Sequence, residues 1–173
     1  RGQALLELTL GFGPLLALTL GLGLAEQLTP LASAWLFAAL AYQLSGLRFP
    51  QVALLGPGAA WRDSMRYSIW AALALLAIAA ACRYVDLPGV QRIGGYVPFV
   101  LLQQALLLGF LWPRARLVAP RHARALAASV FALVHAPNFA LMGLTFMAAW
   151  FWTAHFRHHR SWLPVVASHY ALG

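Results

Sequence analysis

The 173-residue chain is 62 % hydrophobic and 9 % charged, with a mean hydropathy of +0.72. Soluble globular domains carry about a quarter charged residues, so the composition excludes an ordinary soluble fold and predicts a polytopic membrane protein. The net charge of +8 comes from twelve arginines and no lysine, set against Glu7, Glu26, Asp63 and Asp86. Because these arginines stand between apolar segments, anionic lipid headgroups are their expected partner and nucleic acid is not. Cys82 stands alone, which excludes an intrachain disulfide and a cysteine metal cluster.

A crossing takes about 20 mostly apolar residues, and on that ruler the chain holds about seven helices. The expected fold is an all-α integral membrane bundle forming one domain over residues 1–173. The first helix is expected from Ala4 to Leu24, with Glu7 near its start. Thr29 and Pro30 supply an N-cap and a first-position proline for the second, which runs to Leu44. A loop with Gly46, Pro50, Gly56, Pro57 and Gly58 leads to the third, Tyr67 to Cys82. Gly94, Gly95 and Pro98 introduce the fourth, Val97 to Trp112, with Pro113 as its stop. The fifth is expected over Ala123 to Ala136, the sixth over Phe139 to Ala154, and the last from Ser161 onward. Since the chain starts at Arg1 and stops inside that last helix, it reads as a portion of a longer protein.

Arginine placement predicts orientation, because cytoplasmic loops carry the excess of positive charge. The loops after the second, fourth and sixth helices hold nine arginines, and Arg1, Arg83 and Arg92 fall elsewhere. Those even loops are expected in the cytoplasm of a bacterium, at its inner membrane, with the N-terminal end of this portion outside. Glu7 and Glu26 read as terminal, and Asp63 and Asp86 as loop residues. Arg114, Arg116, Arg121 and Arg124 form an expected basic edge. Tryptophans and tyrosines near the helix ends, among them Trp112, Trp150 and Trp162, fit interfacial belts. The glycines of the first helix suit close packing against another helix, inside the bundle or in a partner protein.

Polar groups inside spanning helices are costly and mark candidate sites. At about 1.5 Å per residue, Gln104 lies about 12 Å from the cytoplasmic end of its helix, His135 about 18 Å and His169 about 12 Å. Three helices thus carry amide and imidazole groups in one broad slab, with Gln103 and Asn138 beside them. Such side chains also hydrogen-bond helices together in lipid, contributing about 0.6 to 2 kcal/mol each. Their common layer favours a site.

The segments QQALLLGFLWPRAR, FALVHAPN and SWLPVVASHYALG, covering residues 97–173, together resemble the CPBP family of CAAX-protease and bacteriocin-processing membrane endopeptidases. The family's phenylalanine and histidine, with three residues between them, correspond to Phe131 and His135, and its later histidine to His169. Its adjacent glutamates are replaced here by Gln103 and Gln104, its arginine by Leu108 and its final asparagine by Gly173. The resemblance implies a peptidase cavity in which glutamate and histidine activate water. An amide has no usable basicity near pH 7, and no acid follows Asp86.

Three readings follow: an engineered glutamine trap, a natural branch with His135 or His169 as base, or a protein that keeps the cavity and binds without cutting. The expected function is an altered or degenerate CPBP-like site that binds, and in one reading cleaves, a membrane-embedded peptide or partner helix. Gln103, Gln104, His135 and His169 occupy the catalytic positions; Phe131 and Asn138 border the substrate. No cofactor or metal is expected. A different class of function, an accessory subunit of a larger membrane complex, stays open. His155, His158 and His159 resemble one histidine box of membrane di-iron enzymes, but no second box exists, and an interfacial anchor beside Arg157 and Arg160 is the expected role.

Overall fold

The computed structural model describes residues 1–19, 42, 45, 46, 53–81 and 93–172. The expected second helix apart from Tyr42, the end of the first, Glu26, Cys82, Asp86 and Gly173 lie outside the described residues. Among the described residues the regular elements are helices: α1 (Gly2–Thr19), α2 (Gly58–Ala81), α3 (Ile93–Ala105), a π-helical stretch (Leu106–Leu111), α4 (Trp112–Val118), α5 (Ala123–Leu133), α6 (Phe139–His159) and α7 (Leu163–Leu172). Two stretches among them, Tyr96–Val118 and Phe139–His159, are long and apolar enough to cross a membrane. The chain divides into two compact units, residues 1–49 with 105–154, and residues 50–104 with 155–173.

In the first unit, α1 buries Ala4, Leu8 and Phe12, a four-residue repeat that lays one face along α4. The two helices run in opposite directions. Phe12 meets Phe110 with ring centroids 6.0 Å apart, Glu7 meets Arg114, and Arg1 lines a surface depression of about 360 Å³ with Ala119, Pro120, Arg121 and His122. Arg1 therefore lies at the same end as the loop after α4, and the expected N-terminus on the opposite side is corrected. Helix α5 buries Ala123, Ala127, Ala128 and Ala132 toward α4, small residues that let two backbones approach closely.

Contrary to the expected stop, Pro113 does not end its helix. It follows the π-helical stretch, where the Trp112 N–H bonds to the Leu107 carbonyl, one residue further back than in an α-helix. That widened turn accommodates the proline's missing donor, and α4 continues beyond it. Arg114 is thereby a helical residue, not a loop residue, and it is only 5 % exposed. Its Nε donates to Glu7 Oε2 at 2.7 Å, its Nη1 donates to the carbonyls of Gly46 and Phe110 at 3.1 Å each, and the guanidinium lies 3.6 Å over the Phe110 ring. Arg114 thus leaves the expected basic edge, and Glu7 is its half-buried partner within α1, not a terminal residue. A Cβ at Gly46 would stand 2.7 Å from Arg114 Nη2, so glycine is what lets this segment close over the pair.

In the second unit, α2 starts nine residues before the expected Tyr67 and takes in Arg62, Asp63 and Arg66. Gly56, at φ +70°, and Pro57 turn the chain into it. Helix α2 packs on α7 through its polar side: the Ser64 hydroxyl donates to the Pro164 carbonyl, and the Ser68 and Ser168 hydroxyls bond at 2.9 Å. Met65, Ile69, Trp70, Leu73, Leu76 and Ile78 of α2 are exposed instead. A water-soluble helix would bury the second set and expose the first.

The junction between α6 and α7 is clasped by residues 53–56. The Ala53 N–H bonds to the Arg160 carbonyl at 3.0 Å and the Leu163 N–H to the Leu54 carbonyl at 3.1 Å. Arg160 closes α6 in the left-handed conformation, φ 51°, with its N–H on the Phe156 carbonyl at 2.9 Å. A Cβ at Gly56 would meet Ser161 Cβ at 2.3 Å.

Candidate functional site

In the second unit, α3 turns Tyr96, Val100 and Gln104 to one face by their four-residue spacing. Val100 and Gln104 are fully buried. The amide Nε2 of Gln104 lies 2.9 Å from Nδ1 of His169 on α7, a bond that joins residues 65 positions apart. His169 is 7 % exposed. Tyr96 packs edge-on to its ring at 6.4 Å and against Tyr170 at 6.1 Å. Gln104 Oε1 is buried with no hydrogen-bond partner among the described residues. Leaving a buried acceptor unmet costs about 1 to 3 kcal/mol. Gln103, one residue earlier on the helix, is half-buried and takes no part in the bond. Beside this pair, Ser64, Ser68 and Ser168 continue the neutral polar line between α2 and α7.

In the first unit, α5 ends at Leu133 and turns through His135, whose Nδ1 lies 2.9 Å from the Phe131 carbonyl. A carbonyl only accepts, so Nδ1 carries a proton, which in the neutral tautomer places the lone pair on Nε2. Phe131 is buried, with its centroid 5.4 Å from the His135 ring and 6.3 Å from Trp152. The Ala136–Pro137 bond is cis. Asn138 is exposed, and its Oδ1 accepts the Leu141 N–H at 3.0 Å. It serves as the N-cap of α6.

The structure therefore brings together Gln104 with His169, and Phe131 with His135, while Asn138 turns its amide to its own helix. Tyr96 and the serine line were missed from sequence. Both were available as four-residue spacings, Tyr96 to Gln104 on α3 and Ser64 to Ser68 on α2.

The histidine cluster at the end of α6 is also more than an anchor. His159 Nε2 bonds Asp63 Oδ2 of α2 at 2.9 Å, and its ring lies 4.6 Å from that of His155 and 4.5 Å from that of His158. Asp63 is thus a helical residue with a partner, not a loop residue. Among the described residues no group of three His, Cys, Asp or Glu side chains has the geometry to hold a metal ion. Arg116 and Arg124 lie over Trp112 and Trp150, at 5.9 and 4.7 Å from the ring centroids, an arrangement in which guanidinium and indole attract each other. Comparison with protein-family models, curated proteins and solved structures gives no match for this chain.

Proposed function

We propose that the chain is an integral membrane protein with an altered CPBP-like peptidase site, which binds a membrane-embedded peptide or partner helix. The observation that carries this reading is the buried Gln104–His169 bond. Two positions that the resemblance assigns to one site, on helices far apart in sequence, meet through a neutral pair. Gln104 Oε1, left with no partner among the described residues, is an acceptor suited to a donor from an occupant. The membrane setting is supported by α2, which turns hydroxyls to its neighbour and apolar side chains outward. With Arg1 at the end that carries Arg121, the arginine bias points to that end as cytoplasmic and to an inner membrane of bacterial type.

Amide and imidazole in place of carboxylates favour binding over hydrolysis, because the ordinary base is missing. A photo-crosslinking residue at position 103, in the full chain reconstituted in vesicles, tests the reading with a single-span peptide library. Capture of an embedded peptide, lost in His169→Ala, is expected. No capture, together with a protein that co-purifies at fixed stoichiometry, would replace the reading with an accessory subunit.

A further inference from the structure

We infer that Gln104 is a positioning residue that holds the neutral His169 ring with its proton on Nε2, which removes His169 as a base and makes it a donor. The inference deepens the proposed function and rests on it. The hydrogen-bond count sets the direction of the Gln104 amide. As placed, Nε2 donates to Nδ1, leaving one N–H and the carbonyl Oε1 over in a fully buried side chain. The reverse orientation would satisfy Oε1 and leave both N–H groups without an acceptor among the described residues. Buried orphan N–H groups are rarer than under-satisfied carbonyls, so the first arrangement is preferred. An amide nitrogen has no lone pair to offer, hence Nδ1 must be the acceptor, and the only ring proton of neutral imidazole sits on Nε2.

His135 is set the opposite way by its own local partner, the Phe131 carbonyl, and keeps a lone pair on Nε2. Of these two histidines, His135 alone then has the tautomer with its lone pair on Nε2. A carboxylate at position 104 would reverse the His169 ring, because it can only accept and so requires a proton on Nδ1. The glutamine is therefore a change in what His169 does as well as the loss of an acid.

The test is ring-nitrogen NMR of the full chain, with 15N-labelled histidine, in lipid nanodiscs without peptide. His169→Asn assigns the signal by its disappearance. In the unsubstituted chain Nδ1 of His169 should fall in the unprotonated, imine-type region and Nε2 in the protonated, pyrrole-type region. Gln104→Glu should exchange the two, and Gln104→Leu should give a mixture, with the His135 signals unmoved as the control for folding. A proton on Nδ1 in the unsubstituted chain, or no change in Gln104→Leu, would overturn the inference. The two ideas fail separately: a reversed tautomer with peptide capture intact sinks this one alone, and the expected tautomer without capture sinks only the proposed function.

Discussion

The two units hold polar groups out of water in different ways. The first unit buries a full charge and neutralises it, with Arg114 paired to Glu7, bonded to two carbonyls and laid on Phe110. Among the described residues of the second unit, the polar contacts that α7 makes with α2 and α3 are neutral, made by Gln104 with His169, Ser68 with Ser168, and Ser64 with Pro164. A buried ion must keep its partner or forfeit several kcal/mol, whereas a neutral bond lost in lipid costs far less. The first unit is consequently brittle toward single substitutions at its polar contact and the second forgiving.

Glu7→Ala should show the largest effect. It leaves Arg114 as an uncompensated buried cation, at a cost of about 3 to 5 kcal/mol, read as a lowered midpoint in thermal unfolding of the full chain in micelles. Arg114→Met should cost less, since a stranded carboxyl can take up a proton and a guanidinium cannot release one. The double substitution Glu7→Leu, Arg114→Met should recover most of the loss. If Glu7→Ala unfolds no more readily than the parent, the contrast between the units disappears.

Gly56→Ala comes next, and it shows that the second unit is forgiving only at its polar bonds. The new Cβ would stand 2.3 Å from Ser161 Cβ on a backbone at φ +70°, so strain and overpacking of about 1 to 3 kcal/mol are expected in the same melt. Ser68→Ala should cost about 0.6 kcal/mol. A penalty above about 2 kcal/mol there would place the serine bond in the same class as the ion pair. The last effect, at Arg160, has the opposite sign. Replacing it with glycine relieves a left-handed residue at the end of α6 and should raise the midpoint slightly, by up to about 1 kcal/mol.

Much of this arrangement was legible in the sequence, and the misses have physical causes. Helices α5, α6 and α7 fall close to their expected places, because Pro137 and the His158–Ser161 region interrupt clear apolar runs. Gln104 and His169, which meet, were expected in one layer together with His135. Helix α2 was expected too short because Arg62, Asp63 and Arg66 read as loop charges, yet they occupy its first turns, where Asp63 finds His159. Pro113 read as a stop because a π-helical turn that absorbs a proline leaves no mark in composition. Glu7 read as terminal because its partner is 107 residues away, and local pattern gives no access to such a pair. Asn138 was grouped with the site by its position, while its side chain caps α6; a cap and a site residue look alike when only sequence depth is known.

The orientation of α2 tests the central claim most directly. Spin labels placed singly at Ser68, Ile69 and Leu73 in a Cys82→Ala background, with the chain in bilayers, report collisions with oxygen dissolved in lipid and with a water-soluble nickel chelate. Labels at 69 and 73 should collide with oxygen and be shielded from the chelate, while the label at 68 should be shielded from both. Ready access of the chelate to 69 and 73 would contradict it, because the exposed apolar face of α2 would then be facing water.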